Sequence, residues 1–270
     1  MGGDNMKQRV ITAVVGVPVL LLLIYLGGIP FAALVAVLMA AGTYELYQMV
    51  RKERTFLLAA VLISEAVMLV SVYAGWKSWS SIGLMCAFLL IFIYAILHFP
   101  QVDLNDMAIN FLAVLYIGWT LGHLIAIERL PYGTTMLFYL FVAIWSSDTG
   151  AYFTGRFLGR HKLAPHVSPH KTIEGAVGGV ATTVVVLLLV NSYFKLCAVE
   201  EIIVLGIVLS IVGQIGDLVE SMFKRFVNVK DSGNVLPGHG GVLDRFDSLI
   251  MAAPFLYYTI VVLTFFGYHI

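Results

Sequence analysis

The chain has 270 residues, of which 60% are hydrophobic and only 12% charged, and its sixteen Lys and Arg are matched by sixteen Asp and Glu. A soluble domain carries about 25% charged residues, so a chain with a mean hydropathy of +0.93 reads as a polytopic membrane protein. Zero net charge removes the basic field expected of a nucleic-acid binder. Cys86 and Cys197 lie far apart with no ligand-like spacing, which argues against a thiolate metal centre.

A membrane-crossing helix needs about 20 mostly apolar residues. Nine such stretches are predicted, at 9–26, 29–50, 55–74, 78–98, 107–128, 134–156, 174–196, 200–223 and 247–268. The expected fold is therefore all-α, an integral membrane protein of about nine transmembrane helices. The first run is longer than a signal-peptide core and lacks a small-residue cleavage site, so it is read as a retained span. Gly27-Gly28, Pro30, Gly75, Pro100, Pro131 and Gly133 punctuate the turns.

Lys and Arg accumulate in short cytoplasmic loops. With the N-terminus inside, thirteen of the sixteen fall on the inner side and only Lys77, Arg129 and Lys195 outside. That asymmetry predicts an N-in, C-out chain. Its two long polar linkers, 156–173 and 224–246, are then cytoplasmic.

The first half offers little chemistry. Glu45 and Glu65 lie within spans, where ionisable residues are costly. Glu45 is expected to reach the interface beside Arg51, Lys52 and Arg54, and Glu65 to pair inside the bundle. Trp76, Trp79 and Trp119 read as interfacial or packing residues.

The sixth span holds Asp148, with Tyr152, Gly155 and Gly159 following on one helical face. A carboxylate about two turns inside a membrane must face a wet cavity or a partner. The linker after it, RFLGRHKLAPHVSPHKTIE, is rich in basic residues and histidines and ends at Thr172, an N-cap for the next helix. No thiolate or H-E-x-x-H accompanies His161, His166 and His170, so zinc is not expected. An anion is the better match.

In the eighth span Asp217, Ser221 and Lys224 recur at helical spacing along one face, beside Glu220. The stretch SMFKRFVNVKDSGNVLPGHGGVLDRFD follows, running from Ser221 to Asp247. It concentrates Lys224, Arg225, Lys230, Asp231, His239, Asp244, Arg245 and Asp247 among glycines. One or two carboxylates beside substrate phosphates are how Mg²⁺ is usually held, and glycine amides with Lys and Arg suit phosphate oxygens. Neither a P-loop nor a dinucleotide-binding fingerprint is present. The spacing alone points to a Mg²⁺-dependent membrane enzyme acting on a phosphorylated substrate.

The pattern Ser221-x-Phe223-Lys224-Arg225, Lys230-Asp231-x-Gly233 and Leu236-Pro237-x-His239-Gly240-Gly241-Val242-x-Asp244-Arg245-Phe246-Asp247 closely resembles the signature of the phosphatidate cytidylyltransferases, or CDP-diacylglycerol synthases. The segment from Asp148 to Gly175, including Ser168-Pro169-His170-Lys171-Thr172, is also similar to that family, with His170 standing where a lysine is more familiar. The likeness spans about 148–247 and is only general before that.

The resemblance implies transfer of CMP from CTP to phosphatidate, giving CDP-diacylglycerol and pyrophosphate in phospholipid biosynthesis at the cytoplasmic face of the inner (plasma) membrane. It implies Mg²⁺ on Asp217 and Asp244, a possible second, monovalent cation, and a homodimer. Lys224, Asp217 and Asp244 are the expected catalytic set. Expected to bind substrate are Ser221, Arg225, Lys230, Asp231, His239, Gly240, Gly241, Arg245 and Asp247, with Asp148, Lys171 and Thr172 at the pocket. Residues 1–130 would then be N-terminal helices and 131–270 the catalytic region. Two rivals are a CTP-dependent lipid kinase, which would release CDP, and an ion-coupled transporter, which should show broken helices or an internal repeat.

Overall fold

The computed structural model describes residues 2–51, 55–233 and 240–266, with side chains from residue 14 onward. His239 and the stretch Leu236-Pro237 of the signature lie outside the described residues. Helical segments dominate: α1 (Gly2–Leu26), α2 (Gly28–Val50), α3 (Leu58–Tyr73), α4 (Trp79–Leu97), α5 (Leu104–Glu128), α6 (Gly133–Leu158), α7 (Ile173–Phe194), α8 (Val199–Phe226) and α9 (Leu243–Phe265). Two short antiparallel strands, β1 (Lys162–Ala164) and β2 (Ser168–Thr172), form a hairpin between α6 and α7.

Among the described residues six helices, α2, α4, α5, α7, α8 and α9, are long and apolar enough to cross a membrane. Of the other predicted spans, α1 is described with its side chains over 14–26 alone, and α3 and α6 differ from these six in length or composition. Helix α3 has 16 residues, about 24 Å at 1.5 Å per residue, so its crossing would draw on local thinning of a hydrocarbon core of about 30 Å. Helix α6 has the length but carries Ser146, Ser147, Asp148 and Thr149 in its middle.

The chain divides into two compact units, neither continuous in sequence. One comprises Met1–Arg129 and Val227–Arg245, the other Leu130–Phe226 and Phe246–Ile270. Helix α9 begins in the first and continues in the second.

In the first unit α2, α3, α4 and α5 pack together around Phe31, Val35, Val61, Met68, Ile91, Ile117 and Leu124. Several polar groups inside it are hydrogen-bonded between elements. The Thr43 hydroxyl donates to Glu65 Oε1 at 2.6 Å, which bears out the expectation of pairing inside the bundle. Asn110 and Asp106 hold the chain ahead of α3: Asn110 Oδ1 accepts from Leu57 N at 2.6 Å and Asp106 Oδ1 from Thr55 N at 3.0 Å. Within α5, Val114–Trp119 is π-helical.

The second unit is built on the close pairing of α6 with α7 and of α7 with α8. Small residues set the first of these: a Cβ added at Gly178 would lie 2.1 Å from Thr154 Oγ1, so backbone and side chain interlock there. This is the small-residue packing known from membrane helices. Ser147 on α6 and Ser210 on α8 meet with hydroxyls 2.7 Å apart. Asn191 closes the far end of α7, accepting from Tyr139, Leu196 N and Cys197 N.

Candidate active site

In the second unit a pocket of about 390 Å³ opens between α6, the hairpin, α7 and α8. Asp148, Tyr152, Gly155 and Arg156 come from α6, Leu163, His170, Lys171 and Thr172 from the hairpin, Gly175 and Ala176 from α7, and Gln214 and Asp217 from α8. Its volume lies in the range of small-molecule sites. The face shared by Asp148, Tyr152 and Gly155, legible as helical spacing, is one of its walls.

The hairpin exists because its ends are fixed. Glu174, in the first turn of α7, accepts from Arg160 N at 3.0 Å and His161 N at 3.1 Å, and His161 Nδ1 lies 2.6 Å from its other oxygen. Thr172 caps α7 as expected, its Oγ1 accepting from Gly175 N at 3.1 Å. At the tip, Arg225 Nε donates to Val167 O at 3.4 Å. Arg225, expected to bind substrate, thus touches the hairpin backbone from the end of α8.

Lys171 points into the pocket and pairs with Asp217, Nζ to Oδ2 at 2.5 Å, the two side chains being 26% and 35% exposed. Asp217 also accepts weakly from Ser221 Oγ at 3.4 Å. Asp148 is near enough to feel both the repulsion of Asp217 and the attraction of Lys171. Asp247, at the start of the second unit's part of α9, feels Asp217, Glu220 and Asp148. Four expected residues, Asp148, Lys171, Thr172 and Asp217, therefore share one cavity, with Asp247 within electrostatic range.

Gln214 was not singled out by sequence reasoning. Its Nε2 donates to Ala176 O at 3.2 Å and Ser210 Oγ at 3.1 Å, tying α8 to α7 at the pocket floor. The available signal was its position three residues before Asp217, on the same helical face.

Lys224 pairs along its own helix with Glu220, Nζ to Oε2 at 2.6 Å, and Glu220 is 2% exposed. A carboxylate that buried needs such a cation. Lys230, Asp231 and Arg245 are exposed.

In the first unit Asp244 Oδ2 accepts from Ser232 N and Gly241 N, each at 3.0 Å, and lies 3.0 Å from Ser232 Oγ. The Gly241 amide, expected to face phosphate, is directed at Asp244. Gly240 sits beside it with φ +87, a backbone region that favours glycine. Glu45 does not reach toward Arg51. It is 1% exposed, and its carboxylate accepts from Val242 N at 2.7 Å and Leu243 N at 2.9 Å. Sequence reasoning placed it at the interface because its partners lie almost 200 residues later.

Among the described residues no group of three or more His, Cys, Asp or Glu stands ready to hold a metal ion. Mg²⁺ does not require one, since it usually takes one or two carboxylates and completes its shell with water and substrate phosphate. The mutual repulsion of Asp148, Asp217 and Asp247, met in the pocket by Lys171, is an environment that favours an added cation.

The chain matches the model of the cytidylyltransferase family over residues 7–263. It is 40% identical over 266 residues to the phosphatidate cytidylyltransferase of Bacillus subtilis (strain 168), covering 94% of this chain and 97% of that protein. The protein of the same name from Staphylococcus aureus (strain COL) is 36% identical over 258 residues, and that from Staphylococcus epidermidis (strain ATCC 12228) 35% identical over 257, each covering 93% of this chain and 97% of the relative. With a family match over nearly its whole length and relatives of this identity and coverage, the chain belongs to the cytidylyltransferase family.

Proposed function

We propose that this protein is a phosphatidate cytidylyltransferase, a nucleotidyltransferase that converts CTP and phosphatidate into CDP-diacylglycerol and pyrophosphate. The observation that carries the reading is the cavity in which Lys171 and Asp217 pair beside Asp148, in a chain of this family. A phosphatidate oxygen attacks the α-phosphorus of CTP, the bond from that phosphorus to the bridging oxygen of the β-phosphate breaks, and pyrophosphate leaves. The nucleophile arrives as an anion, so no strong general base is needed. The barrier is then charge repulsion and alignment, which fixed cations lower.

Lys171 supplies a cation whose direction is set by Asp217 and by the hairpin strand that carries it. Arg156 and His170 line the same cavity and add donors for phosphate oxygens. Lys224, Arg225, Lys230 and Arg245 remain proposed contacts to the triphosphate or lipid phosphate, with Ser221, Asp231, His239, Gly240 and Asp247 around them. Asp217 and Asp244 are the proposed Mg²⁺ ligands. When bound, Mg²⁺ would neutralise phosphate charge and orient the leaving pyrophosphate. A second, monovalent cation beside them is proposed from the family resemblance alone, as is a homodimer.

The proposed setting is the plasma membrane, crossed nine times with the N-terminus inside. The support is the charge asymmetry, thirteen Lys and Arg of sixteen on one side. That orientation puts both polar linkers in the cytoplasm with CTP. The deciding experiment is a product assay on the purified protein in detergent with labelled CTP and phosphatidate. Pyrophosphate with CDP-diacylglycerol is expected; release of CDP would identify a lipid kinase, and no product would remove the enzymatic reading.

A further inference from the structure

The carboxylate of Glu45 on α2 accepts two backbone hydrogen bonds from, and meets a hydroxyl of, a segment that begins 187 residues later. Its Oε1 accepts from Val242 N at 2.7 Å; its Oε2 accepts from Leu243 N at 2.9 Å and lies 3.1 Å from Ser232 Oγ. Val242 and Leu243 enter α9, and the first amides of a helix have no partner within it. A buried anion there satisfies two of them and meets the positive end of the helix dipole. The same Ser232 hydroxyl lies 3.0 Å from Asp244 Oδ2, so it touches both carboxylates.

The glycines around this contact are explained by it. A Cβ at Gly241 would lie 1.8 Å from Ser232 Oγ and 2.7 Å from Glu45 Oε2, and one at Gly233 would lie 2.9 Å from Glu45 Cγ. Both positions must be bare for the carboxylate to come in. All these residues belong to the first unit.

We infer that Glu45 is a positioning residue for Asp244. By fixing Ser232 and the entry of α9 it sets the direction of the Asp244 carboxylate. The inference rests on the proposed role of Asp244 as a Mg²⁺ ligand. A glutamine in its place keeps the size but presents an amide N–H₂ to at least one backbone donor.

The test compares the parent protein with Glu45→Gln, Glu45→Asp, Ser232→Ala and Asp244→Asn, each purified in detergent. Hydrogen exchange of the Val242 and Leu243 amides is read in metal-free protein, and initial rates are read against Mg²⁺ at saturating CTP and phosphatidate. Charge-assisted bonds to a buried carboxylate are strong enough that Glu45→Gln is expected to speed exchange at these amides about tenfold or more. It should also raise the Mg²⁺ concentration for half-maximal rate about tenfold, with little change in the KM for CTP. Ser232→Ala should shift the Mg²⁺ dependence in the same direction, and Glu45→Asp should recover part of the exchange protection. Parental Mg²⁺ dependence in both Glu45→Gln and Ser232→Ala, with Asp244→Asn inactive, would overturn the positioning role and leave the metal assignment standing. Parental Mg²⁺ dependence in Asp244→Asn would remove the metal assignment and this inference with it.

Discussion

Replacing Lys171 by Met separates what the pair with Asp217 does for the fold from what the cation does for the reaction. At 2.5 Å and an effective dielectric of about 20, the direct attraction is about 7 kcal/mol. Desolvation removes most of that. Exposures of 26% and 35% put the pair between a surface bridge, worth about 0–1 kcal/mol, and a buried one, whose breaking costs about 3–5 kcal/mol. A stability loss of about 1–2 kcal/mol is expected, too small to unfold the protein. If the ammonium meets substrate phosphate in the transition state, its removal should cost about 3 kcal/mol more, about a hundredfold or greater in kcat/KM. Labelled CMP transfer to phosphatidate in detergent measures the second loss and a thermal unfolding midpoint the first. A Lys171→Met protein with kcat/KM within threefold of the parent would refute the placement of substrate in this pocket. So would a loss fully reversed by Asp217→Asn, since the lysine would then matter only as the partner of that carboxylate.

Gly178→Ala should lower the thermal midpoint by several degrees, because its Cβ would lie 2.1 Å from Thr154 Oγ1 and overpacking costs about 1–3 kcal/mol; Thr154→Ala in the same chain should recover part of the loss. Burial, aided by the charge of Glu201, pushes the Cys197 thiol up to about 12. Its alkylation in a Cys86→Ser background should therefore be slow at pH 8 and rise about tenfold per pH unit, since the thiolate is the reactive form; fast labelling at pH 8 would contradict this. A single cysteine at exposed Asp231 should react with a membrane-impermeant maleimide in inverted vesicles only, and labelling in right-side-out vesicles would overturn the N-in orientation.

What could be read from the sequence was whatever depends on local spacing. The helices follow from apolar runs and their punctuation, and Asp148, Tyr152 and Gly155 line one wall because a helix brings residues three and four apart together. Thr172 as a cap is equally local. The bond of Lys171 to Asp217 was not legible, although both residues had been singled out, because it depends on a hairpin whose short strands carry no clear alternation. Arg225 was read as a substrate contact, and the bond of its Nε to a carbonyl of the hairpin tip was not legible for the same reason. Glu45 was misread for a different reason. Its distance from Arg51 is visible in the chain, and its distance from Val242 is not.

The bonds of Glu45 also bear on how the protein is made. At about 5–20 residues per second, the 197 residues between Glu45 and Val242 take roughly 10–40 s to synthesise. Throughout that interval α2 exists without the amides that its carboxylate accepts in the finished protein. Glu45 cannot gain its backbone donors until the start of α9 has been made, so a chain cut short before residue 240 lacks both amides that bond the most buried acid among the described residues. Such a chain should be recognised by membrane proteases as incomplete, and the setting of Glu45 on α2 is in this sense completed by the start of α9.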